Sequence, residues 1–238
     1  MNFTPPLQPG LLIKRYNRFL VDIELENGTL LTAHCPNTGA ITGLTAPGQK
    51  VWVSYTQSDK RKYAYTWEIA QEKDAQGNRS FVGVNTLTPN KIIYTALKEK
   101  KIPLLACYDT IQPEARIGGS RLDFYLNGPK GSAYLEVKNV HLNRKGIACF
   151  PDTVTERGTK HVRELRALAA QGVRVFLVYV IQRSDCHSFA IAGDIDGVYA
   201  KTCEEAQGVT FLAYSCTVSP LGITLDQSLP VLAPLYGV

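Results

Sequence analysis

The sequence predicts an α+β protein of two domains, a small β-barrel followed by an α/β domain with a mixed central sheet. Residues 1–84 contain short apolar runs separated by turn residues and lack helical periodicity. Residues 85–238 instead alternate strand-like and helix-like segments, which is typical of an α/β sheet. A chain of 238 residues can bury two cores without disulfides. We therefore expect a domain boundary near residue 85.

Six short strands and two turns are predicted in the first half. Asn27-Gly28 between two apolar runs is typical of a two-residue hairpin turn, and Gln76-Gly77-Asn78 makes a second, looser turn. Among small barrels, the five-stranded OB-fold repeatedly binds single strands of nucleic acid by stacking bases on aromatic rings in a basic groove. An OB-like barrel is therefore expected, with strands at residues 11–16, 19–25, 29–34, 51–56, 66–72 and 80–84.

Two clusters in this half mix positive charge with aromatic rings, which predicts contacts with nucleic acid. They consist of Lys14, Arg15, Tyr16, Arg18 and Phe19, and of Lys60, Arg61, Lys62, Tyr63 and Tyr65. The alternative is that the rings fill the barrel core while the lysines protect a sheet edge from aggregation. The loop at residues 34–39, with the sequence His-Cys-Pro-Asn-Thr-Gly, is interpreted as a tight corner.

The second half begins with a predicted helix at residues 88–101, with Pro89 in its first turn. Residues 173–181 form an almost unbroken apolar run, which is typical of a strand buried on both faces. Asp196 is the expected cap of a later helix. The other predicted elements are strands at residues 110–117, 120–126, 134–140 and 209–217, helices at 155–171 and 198–207, and an edge hairpin at 222–226.

The net charge of +5 is concentrated in one segment of the second half. Residues 138–174 contain eight basic and three acidic residues, an excess equal to that of the whole chain. Such a basic stretch suits a phosphate backbone, which supplies most of the sequence-independent affinity for nucleic acid. A solvated helix face is the alternative. No apolar run is long enough to span a membrane and no leader-like segment begins the chain, so a cytoplasmic location is expected.

Asp123, Glu136 and Lys138 form the constellation that predicts chemistry. Strand alternation puts Glu136 and Lys138 on one face of the second strand of a hairpin. If Leu126 pairs with Ala133, Asp123 lies directly opposite Glu136. Two facing carboxylates are kept more readily when a cation sits between them. The pattern therefore predicts a metal site.

Oxygen ligands favour Mg²⁺ or Mn²⁺, and no organic cofactor is expected. Glu114 on the preceding strand could add a third carboxylate to the site. Lys138 could hold or help deprotonate an attacking water and offset the charge that builds on a phosphate. Such a site would act on the phosphodiester bonds of DNA or RNA.

An Asp…Glu-x-Lys pattern on a strand hairpin followed by a helix resembles the PD-(D/E)xK nuclease superfamily, whose members cut phosphodiesters with these three residues. The sequence departs from that pattern at Leu122, where the superfamily has proline. The resemblance implies that the following helix contributes a polar residue, either Glu156 or Lys160, next to the phosphate or a metal-bound water. His161 is ambiguous in the same way, and ion pairs on a solvated helix face are the alternative.

Several motifs, in the same order along nearly the whole chain, resemble the sugar fermentation stimulation protein A family. They are Pro5-Pro6-Leu7, Arg15-Tyr16-Asn17-Arg18-Phe19, His34-Cys35-Pro36-Asn37-Thr38-Gly39, Lys60-Arg61-Lys62-Tyr63, Ser120-Arg121-Leu122-Asp123-Phe124, Leu135-Glu136-Val137-Lys138, Phe150-Pro151-Asp152 and Thr155-Glu156-Arg157-Gly158 with Lys160-His161. The resemblance implies an OB-like first domain, a nuclease-like second domain, and sequence-nonspecific binding of DNA by a proposed regulator of sugar use, notably maltose metabolism.

Three functions stay open at this point. The first is a DNA-binding regulator, with predicted contacts at Lys14, Arg15, Arg18, Lys60, Arg61, Lys62, Arg121, Arg157 and Lys160. The second is an active Mg²⁺- or Mn²⁺-dependent nuclease, for which Asp123, Glu136 and Lys138 are indispensable. The third is an α/β enzyme whose charged hairpin is only structural. No feature of the sequence indicates the oligomeric state.

Overall fold

The first half of the chain forms a sheet that closes on itself. The computed structural model describes residues 1–57, 61–74, 76–117 and 120–237, apart from the side chain of Ser120. The strands are β1 Gln8–Tyr16, β2 Leu20–Leu25, β3 Leu30–His34, β4 Lys50–Tyr55, β5 Tyr65–Lys73 and β6 Arg79–Gly83. Their order is β3-β2-β1-β4-β5-β6, and a parallel pairing of β3 with β5 closes the first five strands into a barrel. The expected OB-like barrel is confirmed.

Turn residues and apolar alternation explain the barrel. Gly28 has a φ of 82° between β2 and β3, a conformation that glycine adopts without strain. Alternate residues such as Ile23 and Trp67 are fully buried inside. In the two basic clusters, by contrast, Phe19 is exposed and Tyr63 is half-buried. These two rings therefore do not fill the barrel core, and they remain available to a ligand.

The second half is built on a mixed six-stranded sheet with the order β15-β14-β12-β9-β8-β7. Strands β9, β12 and β14 are parallel, and the outer strands pair antiparallel. The elements are α1 Thr88–Lys98, β7 Thr110–Ile117, β8 Ser120–Gly128, β9 Gly131–Val140, β10 Leu142–Arg144, β11 Ile147–Phe150, α2 Glu156–Ala169, β12 Arg174–Ile181, β13 Ser188–Ile191, α3 Gly197–Glu204, β14 Val209–Ser219 and β15 Gly222–Leu229. The expected α/β fold with a mixed central sheet is confirmed.

Strand β12 is buried on both faces, as its unbroken apolar sequence predicts. Phe176 and Val178 pack on the side of α1, with Ile93. Leu177 and Tyr179 pack on the opposite side, against α2 and α3. All residues of β12 after its first are buried. The sheet therefore separates two apolar cores, and the helix that follows the hairpin lies on the second.

Several predicted element bounds need correction. The first helix ends at Lys98 rather than at residue 101, because Lys100 has a φ of 56° that cannot continue a helix. The hairpin strands are longer than the predicted strands at residues 120–126 and 134–140, because β8 and β9 remain paired to Gly128 and Gly131. Asp196 caps α3 as predicted, and its Oδ1 accepts a hydrogen bond from the Tyr199 backbone.

A second sheet, formed by β10, β11 and β13, was not predicted. These strands have only three or four residues each, too few for an alternation to stand out. The third of them pairs in parallel with β11 across a long sequence separation, which local patterning does not report. In the part of the chain that is described, no helix is long and apolar enough to cross a membrane.

A buried guanidinium joins the two halves. Arg183, the second residue after β12, is 1% exposed. Its Nη2 atom donates to Glu72 Oε2 of the barrel at 2.5 Å. Its Nε atom donates to Asp185 Oδ1 and its Nη2 atom to Asp185 Oδ2, both at 2.6 Å. Its Nη1 atom donates to the carbonyl oxygen of His141 at 2.7 Å. Since a buried charge is tolerated only when paired and hydrogen-bonded, these partners fix where β5 docks.

The residue before Arg183 extends the joint along the chain. The Gly83 backbone N–H donates to the carbonyl oxygen of Gln182 at 2.8 Å, which links β6 to the end of β12. The Gln182 amide donates to Asn85 O at 3.0 Å and to Asn139 Oδ1 at 2.7 Å. A Cβ on Gly83 would lie 2.5 Å from the Gln182 side chain, so this close approach requires glycine.

We expect Arg183→Ala to lower the free energy of unfolding by about 3–5 kcal/mol, because it removes the shared partner of two carboxylates and a buried carbonyl. Urea unfolding of the whole chain measures the change. Arg144→Ala is the matched control, since Arg144 pairs with Asp194 at 2.8 Å in a more exposed setting within the second half. That pair should contribute less than about 1 kcal/mol. Equal effects of the two substitutions would contradict the role given to Arg183.

Candidate metal and nucleic-acid site

The hairpin of β8 and β9 has the predicted register. Leu126 pairs with Ala133, and the ladder continues to Phe124 opposite Leu135. One position further, the carboxylate of Asp123 replaces the next ladder contact, because its Oδ2 atom accepts a hydrogen bond from the Val137 N–H at 2.8 Å. The ladder pairs that are described stop at Phe124 and Leu135, so Asp123 is not paired directly with Glu136 as expected, but its side chain is fixed against β9 next to that residue.

A side chain from α1 holds the other oxygen of Asp123. Asn90 Nδ2 donates to Asp123 Oδ1 at 2.7 Å. Burial and the neighbouring charge of Glu136 raise the pKa of Asp123 to about 6. The carboxyl group is thus held in one orientation by two donors, in an environment that disfavours an uncompensated negative charge.

Glu136 is 3% exposed and has one oxygen in contact with two cationic or polar groups. Its Oε1 atom accepts a hydrogen bond from Lys138 Nζ at 2.5 Å and contacts Nδ1 of His161 on α2. The same Lys138 Nζ lies 3.2 Å from His161 Nδ1. The other oxygen of Glu136, Oε2, is buried and has no hydrogen-bond partner among the described residues. The site therefore contains a buried carboxylate oxygen with unused acceptor capacity.

The two carboxyl groups have opposite pKa shifts. Burial alone would raise the pKa of Glu136, but the charge of Lys138 and the contact with His161 outweigh it and lower that pKa to about 2. Among the described residues, no cationic group lies at hydrogen-bond distance from Asp123, and burial raises its pKa. Neighbouring titratable groups whose environments push their pKa values apart are characteristic of functional sites.

Glu114 lies near this pair but is not grouped with it. The pairing of Pro113 with Phe124 and of Ala115 with Leu122 sets Glu114 opposite Asp123, with a φ of 57°. Its exposed carboxylate lies 3.4 Å from Arg121 Nη1. Over residues 1–57, 61–74, 76–117 and 120–237, no three His, Cys, Asp or Glu side chains are arranged to hold a metal ion.

A cavity of about 580 Å³ lies between the barrel and the second half and contains this site. Asp123, Glu136 and Lys138 line one side. The opposite side includes Asn37, Thr38 and Gly39 of the loop after β3. The turn-forming residues of this loop indicate only a tight corner. Its position in the cavity depends on how the barrel docks, which no local pattern reports.

A buried His–Asp pair is a further polar element of the same cavity. His141 Nε2 lies 3.1 Å from Asp152 Oδ2, which also accepts a hydrogen bond from the Ile41 N–H of the barrel at 2.9 Å. Burial would raise the pKa of Asp152, but the hydrogen bond and charge of His141, with the Ile41 N–H, lower it. In the sequence, Asp152 stands out only within the Phe150-Pro151-Asp152 motif, and its pairing with His141 was not predicted. His141, Asp152 and Ile41 come together only through the tertiary fold.

The residues of the first basic cluster have different surroundings. Lys14 Nζ lies 3.5 Å from Asp22 Oδ2 on the barrel surface. The Arg15 guanidinium donates to backbone carbonyls of the loop after β3, including Asn37 O at 2.8 Å and Gly39 O at 2.9 Å. Arg18 is exposed in the turn between β1 and β2. Arg15 is therefore engaged in bracing the loop, whereas Arg18 is accessible to a ligand.

The second basic cluster lines a separate cleft of about 480 Å³ between the barrel and α1. Arg61, Lys62, Tyr63 and Lys91 line it, and Lys60 lies outside the described residues. The cleft adjoins the cavity, because Leu87 lines both. Lys91 at the base of α1 was not predicted from the sequence, since it belongs to neither cluster.

The predicted residues of α2 are only partly brought to the site. Arg157 lines the cavity, as does Arg121 of β8. His161 is buried under Glu136. Glu156 is exposed and is not among the residues that line the cavity, and Lys160 is exposed with its Nζ 3.7 Å from Glu164. Of the helix residues that the superfamily resemblance singles out, His161 is therefore the one in contact with the carboxylates.

Comparisons with known proteins cover nearly the whole chain. Residues 13–84 match the family model described as the SfsA N-terminal OB domain, and residues 87–222 match the one described as the sugar fermentation stimulation protein RE domain. A relative from Rhodospirillum centenum, named sugar fermentation stimulation protein homolog, is 46% identical over 234 residues, covering 96% of this chain and 98% of the relative. A homolog of the same name from Ruegeria pomeroyi is 44% identical, covering 96% of this chain and all of the relative.

A solved structure with the same fold is that of Pyrococcus furiosus SfsA in complex with Ca²⁺. It is 25% identical to this chain, covers 98% of both chains and superposes with a TM-score of 0.86. The two-part architecture described above is thus that of a solved member of the same family.

We expect Asp152→Asn to destabilise the protein in a pH-dependent way. Because folding lowers the pKa of Asp152, its contribution is complete above the ordinary value of about 3.9 and is lost as the pH falls through the lower folded value. Near neutral pH, the free energy of unfolding of the native protein should exceed that of the variant by about 1–2 kcal/mol. Urea unfolding along a pH series should show this difference shrinking below about pH 4.

Asp109→Asn is the control for this series. The Asp109 carboxylate lies 3.0 Å from Lys100 Nζ, and both side chains are more than half exposed. Its loss should change the free energy of unfolding by less than about 0.5 kcal/mol. An Asp152→Asn effect that stays constant down to the acid limit would contradict the role given to the charge.

Proposed function

The chain belongs to the sugar fermentation stimulation protein family, and on that premise we propose that it binds DNA without sequence preference and has a divalent-metal site of the nuclease type. The proposal is carried by the convergence of Asp123, Glu136 and Lys138 in one cavity, where an oxygen of Glu136 is buried without a hydrogen-bond partner among the described residues. A role in regulating sugar use, notably maltose metabolism, is the function that the family resemblance implies, and we extend it to this chain.

The donor set fits a divalent metal ion. A buried carboxylate oxygen without a partner costs free energy, and a bound cation would remove that cost. Each oxygen of Asp123 accepts one hydrogen bond and keeps a lone pair. Asp123 and Glu136 would hold the ion, and Glu114, which lines the same cavity, would be a candidate third ligand. Carboxylate oxygens suit Mg²⁺ or Mn²⁺, and the family member solved with Ca²⁺ supports a hard divalent cation.

A divalent cation held there would polarise a phosphoryl oxygen and balance the charge of a reacting phosphodiester. The residues of this chain have complementary tasks. Lys138 keeps a positive charge in the cavity, where it can stabilise negative charge that develops on a phosphate. His161 contacts Glu136 and lies 3.2 Å from Lys138 Nζ, so it restricts both side chains to one arrangement.

The distribution of positive charge supports binding to a nucleic-acid backbone. Arg121 and Arg157 line the cavity, and Arg61, Lys62 and Lys91 line the adjoining cleft. Contacts with phosphates position a nucleic acid but carry no sequence information. Tyr63 offers a ring on which bases of any identity can stack. These features favour binding that is independent of sequence.

An active nuclease that cleaves DNA or RNA is the second candidate function, and the same cavity supports it. A regulator requires the basic surfaces but not turnover. A nuclease also requires Asp123, Glu136 and Lys138. The two functions therefore differ in whether nucleic-acid binding is accompanied by metal-dependent cleavage.

We expect Asp123→Asn and Glu136→Gln to weaken Mn²⁺ binding by more than about tenfold, because each removes an anionic ligand. Calorimetric titration of the whole protein measures the affinity. Lys138→Met should retain the metal but, if the protein is a nuclease, should slow cleavage of labelled DNA at least about a hundredfold. Lys130→Met, in the exposed turn of the same hairpin, is the matched control and should change neither property.

Mn²⁺ affinities that stay unchanged in both carboxylate variants would refute the metal site. Tight binding of single-stranded, duplex and branched DNA, with no cleavage in Mg²⁺ or Mn²⁺, would identify a binding protein. Cleavage lost in Asp123→Asn and Lys138→Met but kept in Lys130→Met would identify a nuclease.

The basic side chains that line the cleft should contribute to the salt dependence of DNA binding. Each phosphate contact contributes about 0.7–0.9 to the slope of log affinity against log salt concentration. We expect Arg61→Ala and Lys62→Ala each to reduce that slope by about one contact. Fluorescence anisotropy with labelled single-stranded DNA measures it. Lys100→Ala, an exposed lysine paired with Asp109 beyond α1, should leave the slope unchanged, and equal slopes in all variants would exclude the cleft from the binding surface.

A further inference from the structure

The loop after β3 brings a part of the barrel into the cavity of the second half. Asn37, Thr38 and Gly39 line the cavity that also contains Asp123 and Glu136. Thr38 is exposed at the apex of the loop. Its hydroxyl has no hydrogen-bond partner within the described part of the chain. A hydroxyl group of the barrel thus lines the cavity of the candidate site without being held by another described residue.

The barrel side of this loop is braced by one guanidinium. Arg15 Nη2 donates to the carbonyl oxygens of Asn37 at 2.8 Å, Gly39 at 2.9 Å and Arg18 at 2.7 Å. Its Nη1 atom donates to Ala40 O at 3.2 Å. These bonds satisfy the backbone carbonyls of Asn37, Gly39 and Ala40 in the loop. The backbone on both sides of Thr38 is therefore fixed.

A buried amide completes the bracing. Asn37 is 3% exposed, and its Nδ2 atom donates to Val84 O at 3.2 Å. Its Oδ1 atom accepts a hydrogen bond from the Gly39 N–H at 2.9 Å. The residues before and after Thr38 are thus held by the same side chain. An ordinary exposed corner would be satisfied by water and would not need a buried amide.

The opposite side of the loop is attached to the second half. Asp152 Oδ2 accepts a hydrogen bond from the Ile41 N–H at 2.9 Å. A Cβ on Gly39 would lie 2.6 Å from both oxygens of Asp152, so only glycine allows this approach. His141 pairs with the same carboxylate and lines the same cavity. The loop is therefore anchored to both halves of the protein on either side of Thr38.

We propose that this loop is the barrel's contribution to the substrate site and that the Thr38 hydroxyl donates a hydrogen bond to a phosphate oxygen of the nucleic acid. Serine and threonine hydroxyls commonly contact phosphates, and the carbonyls around Thr38 are already occupied. Arg15 is a positioning residue, because it acts through the loop and not by contact with the substrate. The proposal rests on the proposed function and adds a substrate contact from the other domain.

The test compares Thr38→Val with Thr42→Val in the full-length chain. Valine keeps the shape of threonine and removes the hydroxyl. Thr42 is exposed a few residues further along but does not line the cavity, so it is the matched control. Fluorescence anisotropy with a labelled DNA oligonucleotide in Ca²⁺ measures the affinity, and a denaturing gel of the same samples reveals any cleavage.

We expect Thr38→Val to weaken DNA binding about tenfold, because a hydrogen bond to a charged phosphate is lost. Thr38→Ser keeps the hydroxyl and should bind like the native protein. Arg15→Lys, which keeps the charge but loses the fork of donors, should also weaken binding. Combined with Thr38→Val it should add little further loss, because the two residues act through one contact.

Each outcome has one meaning. Native binding by Thr38→Val, with DNA still bound by the native protein, would overturn the inference and leave the proposed function intact. Additive losses in the Arg15 and Thr38 double variant would overturn the positioning role of Arg15. Absence of DNA binding by the native protein would overturn the proposed function together with this inference.

Discussion

The architecture depends on a charge that has no access to water. Arg183 is satisfied only when the barrel presents Glu72 and the second half presents Asp185 and the carbonyl of His141. Partial displacement of the barrel would separate Glu72 from this guanidinium and break a buried ion pair, at a cost of several kcal/mol. The interface therefore has one favoured geometry. The cavity wall at residues 37–39 belongs to the barrel, so its position relative to Asp123 follows from the same constraint.

Strand β12 carries this constraint to the candidate site. It ends at Ile181, two residues before Arg183. Along its length it pairs in parallel with β9, so that Glu136 lies beside Leu177. Its second face packs against α2, which supplies His161. The apolar stripe of α2 then determines which of its polar residues reaches the carboxylates. The buried strand thus positions the joint, the hairpin and the helix together, although it contributes no reacting group.

Local patterns predicted the parts of this structure that are governed by local geometry. The pairing of Leu126 with Ala133, the premise of the predicted metal site, is observed, and the apolar run predicted the burial of β12. The contact of Ile41 with Asp152 spans more than a hundred positions, and no periodicity encodes it. The bracing of the loop by Arg15 was hidden for a similar reason. In sequence, Arg15 next to Tyr16 indicates a contact with a ligand. Only the fold shows that its guanidinium is surrounded by backbone carbonyls.

Most polar groups of the interface are satisfied, although Gln182 Oε1 is buried without a hydrogen-bond partner among the described residues, as is a carboxylate oxygen of the candidate site. Arg183, Asp152 and Asn37 each have several partners at hydrogen-bond distance. Glu136 has a buried oxygen with none in the described part of the chain, beside a second carboxylate whose pKa is raised to about 6. A fold selected for stability alone would replace such a pair with apolar side chains. Its retention next to Lys138, in a cavity with a basic rim, is understandable if the site is completed by a cation and a phosphate.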